Sequence, residues 1–248
     1  MRVATTLLIC CTVVAACDRA ETRTTPVTTT APAGTSTAPS AAASSRDEAL
    51  VRVVHANPFA ATVDVYAGDL LAFDGVGFKS VTSYRALDGR RYAFALRPAG
   101  MTNAKALATN TEGLQDGHYY TVFALPGQGR NVHLRVVGDD LSRAANGKAR
   151  LRVVNGGDGL DSVDVRASGS DRAVVEGIAF QAVTDYQDVT PFSATVEVRS
   201  GDRAVLTLPT AHLEAGRFYT MVIVGSTKGS PPLEAFIIED QLASTTRR

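Results

Sequence analysis

From Arg52 onward, short runs of β-branched and aromatic residues alternate with turn residues. The turns fall at Asn57-Pro58, Ala67-Gly68-Asp69, Asp74-Gly75, Asp88-Gly89, Pro98-Ala99-Gly100, Asp116-Gly117 and Pro126-Gly127. This spacing encloses about seven short strands and predicts a β-sandwich. No stretch keeps a 3.6-residue apolar period over three turns. Arg172 to Ala182 comes nearest, and it aligns with the strand-like Asp74 to Lys79.

The pattern occurs twice. Val51 to Val65 (V-R-V-V-H-A-N-P-F-A-A-T-V-D-V) returns as Leu151 to Val165 (L-R-V-V-N-G-G-D-G-L-D-S-V-D-V), 100 residues on, with six of fifteen positions identical. Gly75 to Tyr84 returns as Gly177 to Tyr186, and Gly117 to Val122 as Gly216 to Met221. A tandem duplication of this length predicts two tandem immunoglobulin-like β-sandwich domains, residues 48–140 and 148–240. The junction from Gly138 to Arg150 is short and runs directly into a strand, so the two sandwiches are expected to touch. Residues 241–248 read as a polar tail.

Two polar features are duplicated inside the apolar pattern. Arg52 with Asp64, and Arg152 with Asp164, sit mid-strand between valines, where period-two alternation turns them away from the core. If their strands pair, each Arg meets its Asp across the ladder as a structural ion pair. The second feature is L-x-x-G-x-x-Y: Leu114, Gly117 and Tyr120, then Leu213, Gly216 and Tyr219. It fits either a tyrosine corner, whose phenol bonds backbone at the turn, or a plain half-buried core Tyr.

The N-terminus departs from this pattern. Met1 to Cys17 has one Arg, then about a dozen apolar residues, too few to span a bilayer, and ends in Val14-Ala15-Ala16-Cys17. That ending resembles the lipobox of bacterial lipoproteins, in which the Cys becomes the acylated N-terminus; the alternative is an ordinary signal peptide cut near Ala16. Cys10 and Cys11 lie within the leader, so Cys17 would be the one mature cysteine, with no internal disulfide open to it. Lipidation gives it a role, since each buried methylene contributes about 0.8 kcal/mol of membrane attachment. Residues 18–47 are dominated by Thr, Ala, Ser and Pro, a composition that cannot offset its conformational entropy by burial. The expectation is a disordered tether with a reach of roughly 30 Å.

Charge removes some function classes. The 25 basic and 25 acidic residues balance, which speaks against a nucleic-acid partner. His55, His118, His133 and His212 form no metal-ligand spacing, and no nucleophile elbow, phosphate loop or dinucleotide fingerprint occurs. Pro126 to Arg130 is glycine-rich but precedes no helix, so it reads as a hairpin loop. Asp139-Asp140 and the pair Asp158 and Asp161 read as solvated loop acids rather than a calcium site. No cofactor, metal or catalytic residue is assigned, and no enzyme is expected.

The segments V-R-V-V-H-A-N-P-F-A-A-T-V-D-V-Y (Val51 to Tyr66), S-V-T-S-Y (Ser80 to Tyr84), R-P-A-G (Arg97 to Gly100) and G-K-A-R-L-R-V-V-N (Gly147 to Asn155) resemble the bacterial family called domain of unknown function 4397. Repeat 2 departs from the family pattern at Gly157 to Leu160, which replace the proline-bearing loop, and at Arg166, which replaces Tyr66. The resemblance implies an exported or surface-anchored protein with no established activity.

Taken together, these features lead to the expectation of a lipid-anchored, non-catalytic cell-envelope protein facing the periplasm or exterior. Its partners would be a membrane, through Cys17, and an envelope protein or glycan. Recognition is expected on the loops Asn57 to Ala61, Asp74 to Gly77 and Pro126 to Arg130, with Asn57, Pro58, Phe59, Gln128 and Arg130 as candidate contacts. The alternative is a structural spacer without a ligand.

Overall fold

The run V-R-V-V-H carries Val51, Val53 and His55 on one face and Arg52 and Val54 on the other, and all five are buried. The computed structural model places it at the centre of the molecule. Residues 48–170 and 172–240 are described; the leader, Cys17, the tether and the tail lie outside the described residues. Eight strands make the first sandwich: β1 (Glu48–His55), β2 (Val63–Ala67), β3 (Leu70–Val76), β4 (Arg85–Asp88), β5 (Arg91–Pro98), β6 (Ala108–Gly113), β7 (Tyr119–Pro126) and β8 (Val132–Asp139). Eight more make the second: β9 (Ala149–Asn155), β10 (Ser162–Ala167), β11 (Ala173–Ala179), β12 (Gln187–Val189), β13 (Phe192–Ser200), β14 (Arg203–Leu213), β15 (Phe218–Val224) and β16 (Glu234–Glu239). The fold is all-β, with eight strands per repeat where the turn spacing suggested about seven.

Each sandwich has two four-stranded sheets. In the first they are β4-β1-β7-β8 and β3-β2-β5-β6; in the second, β12-β9-β15-β16 and β11-β10-β13-β14. Most neighbours are antiparallel, but β1 runs parallel to β7, with Leu50–His55 opposite Tyr119–Ala124, and β9 runs parallel to β15. Alternate residues then divide between two cores. Val51, Val53, Val65, Phe94, Leu96 and Val122 fill the first sandwich, and Val153, Val163, Val165, Val198 and Met221 the second.

The residues between them face outward from each sandwich and meet one another. Val54, Phe123 and Leu125 pack with Val154, Val222 and Val224 in a third apolar cluster. The sheet β4-β1-β7-β8 therefore lies against β12-β9-β15-β16, and the molecule is four sheets deep. The strands of the two sandwiches run in the same sense: Arg52 and Arg152 share one cluster, Val54 and Val154 the next, and Gly156 then abuts the Ala56 carbonyl. As a result the 56–62, 126–131, 156–161 and 225–233 loops of both repeats gather at one end. Glu48, the first described residue, lies at the other end.

This topology corrects the expected Arg52–Asp64 and Arg152–Asp164 pairs. Strand β1 bonds β4 and β7 while β2 bonds β3 and β5, so each Arg and its Asp belong to different sheets. The Asp64 carboxylate instead accepts the Gly75 and Gly100 N–H groups at 2.8 and 2.9 Å, and Asp164 accepts that of Gly177 at 2.8 Å. Gly75 and Gly177 sit with φ of 61° and 65° beside breaks in the register of β2–β3 and β10–β11. The duplicated Asp thus ties down a bulge that glycine alone adopts without strain.

Candidate functional site

Two places concentrate polar side chains: the buried seam between the sandwiches and the loop end. In the seam each repeat contributes an Arg, a Thr, an Asp and a Tyr. Arg52 Nη2 donates to Asp240 Oδ1 at 2.5 Å, and Arg152 Nη1 donates to Asp139 Oδ1 at 2.6 Å. Each Arg thus crosses to the other repeat. Within its own repeat, Arg52 Nε donates to Thr121 Oγ1 at 2.9 Å and Arg152 Nε to Thr220 Oγ1 at 3.1 Å. The threonine hydroxyls donate onward to Asp139 and Asp240, both at 2.6 Å. Tyr84 and Tyr186 donate to the same two carboxylates at 2.7 and 2.8 Å. The pattern is that of a two-fold symmetric interface, made within one chain by the duplication.

Two guanidinium and two carboxylate groups balance in charge, and each carboxylate accepts three donors. Burial alone would lower the pKa of Arg52, but the Asp240 carboxylate, with Tyr84 and Asp139, raises it above the ordinary arginine value. Arg152 follows the same course through Asp139, and its guanidinium also stacks on the Tyr186 ring at 4.5 Å. Burial, reinforced by Asp139, pushes the Tyr84 hydroxyl up, so it stays a donor. Asp139, expected as a solvated loop acid, is 6% exposed because β8 carries it into the seam. This cluster has no sequence signature beyond the repetition of its parts, since its partners stand up to 188 residues apart.

At the loop end the candidate residues divide. Asn57 is fully buried: its amide donates to the Leu125 and Asn131 carbonyls at 3.3 and 3.2 Å, and its Oδ1 accepts the Phe59 N–H at 2.8 Å. It holds the 56–62 loop against the β7–β8 turn. Pro58 and Phe59 are half-buried, and Gln128 and Arg130 are exposed. The Arg130 guanidinium lies 5.0 Å over the Phe59 ring, a cation–π contact worth about 0.5–1 kcal/mol. Gln128 to Arg130 form one 3₁₀ turn joining β7 to β8, the hairpin connection expected of that loop. Phe59, Gln128 and Arg130 therefore come together, with Asn57 as their support. Asp74 to Val76 lie in β3 rather than in a loop, because the bulge keeps them in the ladder.

Two cross-links fasten the seam near this end. Gln181 Nε2 donates to the Pro126 carbonyl at 3.0 Å, and Lys79 Nζ pairs with Glu234 at 2.8 Å. Both residues adopt a φ of 65°, at equivalent positions of the two repeats.

His55 is fully buried. It accepts the Asn57 N–H on Nδ1 at 3.3 Å, which leaves Nε2 to donate to the Ala61 carbonyl at 3.0 Å. Burial lowers its pKa, so it is a neutral brace for the loop. In repeat 2, Asn155 does the same work, donating to the Leu160 and Ile178 carbonyls and accepting from Gly157. Near the Glu48 end, a cavity of about 520 Å3 is lined by residues including His118, Tyr119, Asp139 and Leu141. Among the described residues no three His, Cys, Asp or Glu side chains converge as a metal site.

The Tyr120 hydroxyl accepts the Gln115 N–H at 3.0 Å and the Tyr219 hydroxyl that of Glu214 at 3.1 Å, so the duplicated Leu/Gly/Tyr pattern is a tyrosine corner.

The family model described as "Domain of unknown function (DUF4397)" matches residues 49–166 and 158–247. The chain belongs to this family. As a DUF4397 protein it carries two tandem copies, and the first match runs on from β1 through the junction into β10. No curated protein matches it. Among solved structures, the C-terminal domain of AlgF from P. aeruginosa is similar at 19% identity and a TM-score of 0.32, covering 38% of this chain and 100% of that one. A candidate cell adhesion protein from Bacteroides ovatus is similar at 10% identity and a TM-score of 0.26, covering 80% and 99%. A family CBM26 domain of Eubacterium rectale Amy13K, in complex with maltoheptaose, gives 10% and 0.21, covering 79% and 98%. At these scores none of the three bears on what the DUF4397 protein binds.

Proposed function

We propose that the protein is a lipid-anchored, non-catalytic component of the bacterial cell envelope whose paired sandwiches hold out a loop end for binding or adhesion. The observation that carries this reading is the polarity of the molecule. The loops of both repeats gather at the end opposite Glu48, so an anchor at Cys17 would attach the protein by the other end and leave the loops free to meet a partner. The seam supports the reading by holding the two loop sets in one fixed relation. On that end Phe59, Gln128 and Arg130 offer an aromatic ring, an amide and a guanidinium suited to a polar polymer such as a glycan or a protein surface.

The first test is the intact mass of the protein from its native membrane beside a Cys17→Ala variant. An acylated species beginning at Cys17, and a variant released in soluble form, are the expected results; an unacylated mass overturns the anchor. Binding is tested with the soluble Cys17→Ala protein on isolated envelopes and on immobilised glycans. A combined Phe59→Ala and Arg130→Ala variant, unchanged in thermal midpoint, should lose retention. If the parent protein is not retained on either, the spacer reading replaces adhesion. The ties among Arg150, Asp140 and Ser142, which brace the junction against β9, already suit a spacer.

A further inference from the structure

The order of the strands gives the anchor–partner axis a mechanical meaning, which rests on the anchored-adhesion reading. Strand β1 is the first element among the described residues. Strand β7 ends at Pro126, immediately before the Gln128–Arg130 turn. The two are adjacent and parallel, paired from Leu50–Tyr119 to His55–Ala124. Because they are parallel, the start of β1 and the end of β7 lie at opposite ends of the same ladder.

We propose that the β1–β7 ladder is the force-bearing element of the protein. Tension between a membrane anchor and a partner held on the 126–131 turn pulls β1 toward the tether and β7 away from it, along the strand direction. The inter-strand bonds cross that direction, so the pairs are loaded together and must fail together. Pulling both strands from one end would instead open the ladder one pair at a time.

Arg52 strengthens the same line. From β1 it bonds Thr121, its register partner on β7, and also Asp240 of the other sandwich. Sliding β1 would strip a buried guanidinium from its carboxylate, adding to the barrier the cost of an unpaired buried charge. Strand β1 is also held on its other side by β4, through Glu48–Asp88 to Val51–Arg85. The second repeat has the same parallel pair in β9 and β15, but β9 follows the junction, so an N-terminal pull reaches β1 first.

The test is single-molecule force spectroscopy on the unlipidated chain starting at Cys17, whose thiol serves as one handle. The second handle is a cysteine at Gln128→Cys or, in a separate variant, at Gln115→Cys; both sites are exposed and lie outside the β1–β7 register. Rupture rates under load report the unfolding barrier directly. The Cys17–Gln128→Cys geometry should rupture at a several-fold higher force than Cys17–Gln115→Cys, which pulls both strands from the tether end. Equal forces, or the reverse order, overturn the proposal. The measurement needs no ligand, so it separates the two readings: a parent protein that is not retained, or a loop variant retained as well as the parent, removes adhesion, and equal forces remove the clamp.

Discussion

Removing Asp139 should uncouple the two sandwiches. Its carboxylate accepts Arg152 at 2.6 Å, Thr121 at 2.6 Å and Tyr84 at 2.7 Å, and its side chain is fully buried. In an Asp139→Leu variant Arg152 keeps only its bond to Thr220, while its charge stays 1% exposed with no carboxylate beside it. Breaking a buried pair from one side costs about 3–5 kcal/mol. For a body of this size that corresponds to a fall in thermal midpoint of about 6–20 °C, at 2–4 °C per kcal/mol. The assay is urea unfolding, followed by circular dichroism, of the parent, Asp139→Leu, Arg152→Met and the double variant. The double variant should be more stable than the sum of the singles by up to about 3 kcal/mol, because it leaves neither charge stranded. Arg52 keeps its Asp240 partner but loses the Asp139 carboxylate 3.9 Å from its Nε, so part of the cost falls on that half of the seam. A single-variant cost below about 1 kcal/mol, or strict additivity in the cycle, would refute the claim that this crossing pair holds the seam.

Two further predictions concern the repeats. His55→Asn copies the residue that repeat 2 uses at the same place, and it should reduce the pH dependence of stability. The folded pKa of His55 lies below its ordinary value of 6.5, so the unfolded chain takes up the proton first. Stability is then full above that value and is lost as pH falls through and below it. Urea midpoints at pH 7.5 and 5 should differ less in the variant than in the parent, and an unchanged difference would clear His55 of this role. Gly156→Ala sets a Cβ 2.8 Å from the Ile223 carbonyl, backbone that cannot step aside. It should cost about 1–3 kcal/mol in the same assay, and a neutral result would mean the seam yields there.

The sequence carried the repeat, the sandwich class and the core, because period-two alternation records which face of a strand is buried. It left the tyrosine corner open against a plain core Tyr, although that bond spans only five residues at a turn. It misassigned Arg52 and Asp64. Alternation reports that a residue leaves its own core without saying what waits on the other side. For Arg52 that is a second sandwich, and for Asp64 a bulge glycine N–H. Asn57 was legible as a loop residue, but its role as an internal support depends on carbonyls 68 and 74 positions away.

By itself, then, the sequence determined two copies of one β-sandwich, because strand pattern and turn chemistry are local and the duplication wrote them twice. The tertiary structure alone decided that the outer faces of β1 and β9 would close on each other, and that each arginine would cross to the other repeat's aspartate. It also decided that the loops would share the end away from Glu48. Those outcomes depend on how two finished sheets fit together. The fit is set by side chains far apart in the chain, whose burial and charge pairing no local pattern encodes.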